Sequence, residues 1–151
     1  MIVQVGGIAM RFGVRIPPDL FEPWWTEFVP NAFTFTDSMR RGVPVLLDHA
    51  EGVEYGHSRS GSLQFSQDET GLRYAVGLDT EVEGVPALLA EIESGAITGV
   101  SLGWGSRGER WNFATTPALL TVTRATVDEL SFAREPRAPG TSVEILRATH
   151  A

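Results

Sequence analysis

Ser101 stands in the run Gly99-Val100-Ser101-Leu102-Gly103-Trp104. Strand alternation sends Val100, Leu102 and Trp104 to one side and leaves Ser101 between two glycines on the other. A hydroxyl flanked by positions without side chains is open to the backbone of a bound peptide. The same pattern also suits a barrel strand that keeps small residues where another element packs close. A serine nucleophile needs a neighbouring base, because a free hydroxyl is almost fully protonated at neutral pH. The histidines are His49, His57 and His150. His49 ends Val43-Pro44-Val45-Leu46-Leu47-Asp48-His49, where alternation aligns it with Val45 and Leu47. A histidine so placed is either a base or a structural group with its hydrogen bonds satisfied. His57, in Tyr55-Gly56-His57-Ser58, belongs to a loop or a strand entry. Glu129 lies in Thr126-Val127-Asp128-Glu129-Leu130-Ser131-Phe132 and shares a strand face with Val127 and Ser131. An inward carboxylate there needs an imidazole whose tautomer it holds, an arginine, or water at a barrel end. Asp128 points the other way, to solvent.

The residues around Ser101 also spell Gly-x-Ser-x-Gly, the nucleophile elbow of α/β-hydrolases. That elbow requires a strand, then serine, then a helix, followed downstream by an acid and a histidine. Here the serine follows a helical pattern, Gly105-Ser106-Arg107-Gly108 reads as a loop, and the only histidine downstream is His150. The elbow reading is set aside.

Composition narrows the chemistry. Cysteine is absent, which removes disulfides, thiolate metal sites and a cysteine nucleophile together. All 12 basic residues are arginine, so no lysine base or Schiff base is available. A formal net charge of −7 opposes binding to a phosphate backbone, and no nucleic-acid partner is expected. No run approaches the roughly 20 apolar residues that span a bilayer, and Met1-Ile2-Val3-Gln4 shows no export signal, so a soluble chain without membrane contact is expected.

The elements that must position these groups are short and closely punctuated by 16 glycines and 9 prolines. A length of 151 residues suits one domain, 1–151. Leu72, Tyr74, Val76 and Leu78 alternate with Arg73, Ala75 and Gly77 as one apolar strand face. Leu63 and Phe65 belong to a partner strand, joined through a turn at Gln67-Asp68-Glu69-Thr70-Gly71. Val85, Leu88, Leu89 and Ile92 recur at helical spacing, with Pro86 in the first turn and Gly95 as cap. Further helices are expected at Asp37 to Arg41 and, through Phe21, Trp24, Trp25 and Phe28, at Pro17 to Phe28. The tryptophan pair reads as core or interface. The tail Thr149 to Ala151 is expected to fray. These patterns predict a mainly β fold with peripheral helices, of the barrel or sandwich kind.

Taken in order, the segments resemble the prohead maturation proteases of tailed bacteriophages, which are related in fold to the herpesvirus assemblins. Phe28-Val29-Pro30-Asn31-Ala32-Phe33 is similar to the family's early proline and Ala-Phe signature. Val43 to His49 resembles its apolar strand ending in histidine, with Gly56 shortly after. Thr70-Gly71-Leu72, the amphipathic helix and Gly99 to Trp104 follow in the family's order. Val127 to Phe132 with Arg134-Glu135-Pro136 resembles its Glu-Val-Ser and Pro-Ala block. Arg137-Ala138-Pro139 departs from the Ala-Asn-Pro that the family more often shows.

The resemblance implies a single-domain, closed or nearly closed β-barrel like the herpesvirus protease fold. It implies a serine endopeptidase with Ser101 as nucleophile, His49 as base and, in place of the assemblins' second histidine, Glu129 as third member. The loop from Arg134 to Arg137 would supply oxyanion amides by analogy. Cofactor and metal are not implied. The implied substrates are the scaffold segment of the major capsid protein and the protease itself, inside an assembling procapsid in the host cytoplasm, with a homodimer as the assemblin-like state. Two rivals are a catalytically silent capsid-assembly β-barrel and a metal hydrolase using Asp48, His49 and His57, whose spacing fits no ligand motif.

Overall fold

A computed structural model describes residues 1–35 and 42–149. The helix expected at 37–41, and His150, lie outside the described residues. The strands are β1 (Ile2–Arg11), β2 (Trp25–Phe28), β3 (Pro44–Leu47), β4 (Gly56–His57), β5 (Leu63–Gln67), β6 (Gly71–Asp79), β7 (Gly99–Asn112), β8 (Leu119–Ala133) and β9 (Glu144–Thr149). A 3₁₀ turn (Ser58–Ser60) follows β4, and one α-helix, α1 (Val85–Ser94), precedes β7.

The fold is mainly β, as the alternation predicts. One sheet has the order β5-β6-β1-β9, and β6 turns Leu72, Tyr74, Val76 and Leu78 into the core. Its hairpin with β5 closes where Asp68 accepts the N–H groups of Thr70 and Gly71 at 2.8 and 3.1 Å. The second sheet is built on β8. β7 pairs antiparallel along the whole of β8, while β2 and β3 pair parallel to it at Leu119–Val122 and at Leu130–Phe132. Among the described residues neither sheet closes on itself into a barrel; both are open ladders over one core. Phe28 stacks with Phe33 at 5.3 Å and meets Trp104 edge-on at 4.8 Å, tying β2 to β7.

Two readings of local pattern are corrected. Residues 17–28 form no helix: Trp25–Phe28 is β2, and Leu20 and Phe21 stand in solvent. Pro17, Pro18 and Pro23 cannot donate to a helical ladder, and Asp19 takes the N–H groups of Phe21 and Glu22 at 2.9 and 2.7 Å in a turn of its own. Trp24 packs on the core and meets Trp111 edge-on at 5.2 Å. Gly105 to Gly108 is no loop either. β7 runs through it to Asn112, because pairing with β8 satisfies its backbone, and bulges at Ser106, Gly108 and Glu109 absorb the irregular glycines. α1 matches its predicted span, with Val85, Leu88 and Ile92 buried and Gly95 at φ 81° as left-handed cap.

Candidate active site

The parallel register of β3 with β8 brings residues far apart in sequence together. Val45, Leu46 and Leu47 lie beside Leu130, Ser131 and Phe132. The ladder ends when Asp48 N–H donates to the Phe132 carbonyl at 2.9 Å. The chain then reverses through Asp48 at φ 48° and His49 at φ 60°, closed by Ala50 N–H on the Leu47 carbonyl at 2.9 Å. Two successive non-glycine residues in the left-handed region are strained, and such strain gathers where the surroundings hold a side chain to a task. His49 therefore does not continue the strand face of Val45 and Leu47, as alternation predicts. The turn carries it back over β8, where its N–H donates to Ser131 Oγ at 3.0 Å.

Here His49 Nδ1 meets Glu129 Oε1. A carboxylate on Nδ1 holds the proton there and leaves Nε2 as the basic nitrogen. Two local features let Glu129 reach. β8 bulges at Asp128, so that Val127 turns into the core, on the opposite side from Glu129 and Ser131, which pair with Gly103 and Ser101. The shared face with Ser131 stands, and the one with Val127 does not. Gly103 then gives the space, since a Cβ there would collide with Glu129 Cγ. Asp128 is exposed.

Ser101 sits opposite Ser131 on the same face. It opens into a cleft of about 370 Å³ whose lining includes His49, Gly103, Trp104, Glu22 and Arg137. Among the described residues no hydrogen bond joins Ser101 to His49; they share the cleft wall. The other glycine, Gly99, has the packing role: a Cβ there would strike the Thr141 side chain and Pro136, and Thr141 Oγ1 accepts Val100 N–H at 3.3 Å. Thus one flanking glycine lets a neighbouring segment pack, and the other makes room for the candidate acid.

Two arginines border the site. Arg134 grips Glu91 of α1 with Nη2 at 2.8 Å from both carboxylate oxygens, pairs with the Asp48 carboxylate, and donates its own N–H to Asp48 Oδ1 at 3.3 Å. Hydrogen bonding to Glu91 first, opposed by desolvation and joined by Asp48, holds its pKa above the ordinary value. Arg137 pairs with Asp19 at 2.9 Å and Glu22 at 2.8 Å across the cleft mouth. The Arg134 amide is thus committed to Asp48, and Pro136 has no N–H to offer. His57 stands apart, its Nδ1 accepting Arg59 N–H at 3.1 Å beside the 3₁₀ turn. Among the described residues no three His, Cys, Asp or Glu side chains are grouped to hold a metal ion. Sequence reasoning named Asp48 only as a metal ligand in a rival reading, Arg134 only within an oxyanion loop and Ser131 only as a face neighbour of Glu129. It missed that Arg134 holds Asp48 and that Ser131 holds the His49 N–H. The pairing of Ser131 with Ser101 had no local signal, but an Asp-His pair at the end of an apolar strand does favour a turn.

The family model described as caudovirus prohead serine protease matches residues 5–151. No curated protein matches the sequence. Among solved structures, the crystal structure of KSHV protease in complex with a hexapeptide phosphonate inhibitor superposes with a TM-score of 0.49 at 14% identity. The match covers 98% of this chain and 66% of that chain, so this chain spans just under two thirds of that protein's length.

Proposed function

Because the chain belongs to the caudovirus prohead serine proteases, we propose that it is an endopeptidase acting through an acyl-enzyme on Ser101. In this reading His49 is the base and Glu129 its partner. The observation that carries it is the His49–Glu129 contact at the edge of the cleft that Ser101 lines. Nε2 takes the Ser101 proton as Oγ bonds to the scissile carbonyl carbon. The imidazolium, stabilised by Glu129, gives that proton to the leaving amine as the C–N bond breaks. Water then repeats the sequence and releases the acid. Catalytic hydrogen bonds often close only when substrate fills a site, which accounts for a serine and a histidine that share a cleft wall with no hydrogen bond between them. With the Arg134 amide committed, the N–H groups of Arg137 and Ala138, residues that line the cleft, are the candidates for an oxyanion hole.

The substrates in this reading are the scaffold segment of the major capsid protein and the protease itself, cleaved in the assembling procapsid in the host cytoplasm. No helix among the described residues is long and apolar enough to cross a membrane. A serine-directed fluorophosphonate tests the reading. Wild type should label on Ser101, Ser101→Ala should not label, His49→Ala should react at least about 100-fold more slowly, and His57→Ala should label normally. An inert wild-type serine, with capsid protein left uncut on co-expression, would instead favour a capsid-assembly protein that cleaves nothing.

A further inference from the structure

The turn that carries His49 is held from outside the cleft. Asp48, the first of its two left-handed residues, is gripped twice by Arg134, through the guanidinium and through the backbone N–H. The remaining face of that guanidinium is spent on Glu91, with Nε at 3.2 Å and Nη2 at 2.8 Å from Oε1, and Nη2 at 2.8 Å from Oε2. One planar fork therefore spans from the turn to α1, a packed helix anchored by Val85, Leu88 and Ile92. Neither Arg134 nor Glu91 lines the Ser101 cleft.

We propose that Arg134 is a positioning residue that ties the Asp48–His49 turn to α1, so that the imidazole is presented to Ser101 in one orientation. The inference rests on the serine-protease reading above and adds to it a clamp outside the catalytic groups. Two features separate this role from a general contribution to folding. The three side chains are about one third to one half exposed, and ion pairs so placed add little to stability. The turn itself has non-glycine residues at positive φ, a conformation that relaxes unless its surroundings hold it.

The test compares full-length wild type with Arg134→Ala, Arg134→Lys, Glu91→Gln and the double variant Arg134→Ala/Glu91→Gln, using fluorophosphonate labelling and hydrolysis of a peptide containing a mapped cleavage site. Arg134→Ala should lower kcat and the labelling rate by about 10- to 100-fold, the size expected for a base displaced by roughly 1 Å, with KM within about twofold and little change in Tm. Lysine offers a single point donor and should remain at least about fivefold below wild type. Glu91→Gln should lower kcat in the same direction, and the double variant should be no worse than Arg134→Ala alone, because both changes open one clamp. Hydrogen exchange at the His49 amide should quicken in each variant. A wild-type level of labelling in Arg134→Ala, a silent Glu91→Gln, or a rise in KM at constant kcat would overturn the clamp while leaving the protease reading intact. Failure of wild type to label at all would overturn both. If Arg134→Ala does not fold, Glu91→Gln decides alone.

Discussion

The imidazole of His49 and the carboxylate of Glu129 are in hydrogen-bond contact across a separation of 80 residues. Glu129 is the less exposed of the two, at 22% against 50%, so the acid sits behind the imidazole and the ring faces the cleft. An arrangement with a recessed acid and an accessible ring suits a base whose outer nitrogen works on a substrate.

Replacing Glu129 by glutamine keeps the shape and removes the charge. An amide can donate to Nδ1, which drives the proton to Nε2 and disables the base. Glu129→Gln should lower kcat by about 10³- to 10⁴-fold at similar KM, measured in steady-state peptide hydrolysis.

Gly103 is where the Glu129 side chain crosses β7. In Gly103→Ala the new methyl competes with Glu129 Cγ, so the carboxylate must swing away from His49. Activity should fall by about tenfold or more, while overpacking costs roughly 1–3 kcal/mol. Kinetics and urea denaturation of one preparation check both.

Ser131 is fully buried and accepts the His49 N–H at 3.0 Å. Ser131→Ala leaves that donor without its acceptor and should destabilise by roughly 1–3 kcal/mol, with a loss of kcat as the turn loosens. Chemical denaturation and labelling rate measured together test this.

Acid should weaken the fold through two carboxylates. Arg73, then the N–H groups of Gly71 and Thr70, hold Asp68 below its ordinary 3.8, and the Glu22 and Phe21 N–H groups with Arg137 do the same for Asp19. A depressed folded-state pKa stabilises above the unfolded value and loses that contribution as pH falls below it. Tm should therefore drop below about pH 3.8, and Asp68→Asn should show a lower Tm at neutral pH with a shallower acid limb.

What could be read from the chain alone was what local geometry repeats. Alternation marked the buried face of β6, helical spacing with Pro86 and Gly95 marked α1, and the glycine-flanked serine marked the open face of β7. Each pattern reports a backbone period, which neighbouring residues set by themselves. Ser101, His49 and Glu129 were legible as candidates through their strand contexts together with the order of segments that resembles the prohead proteases. Their assembly was not legible. It depends on the parallel register of β3 with β8, on the bulge that reverses Val127 relative to Glu129, and on a left-handed turn that moves His49 off its strand face. Residues 105–108 differ from their local pattern for the same reason, since pairing with distant β8 outweighs local propensity, whereas residues 17–24 depart from theirs locally, through their prolines and the Asp19 turn. Register and bulges are decided by which distant strands share hydrogen bonds and a core, and only the folded chain brings those partners together.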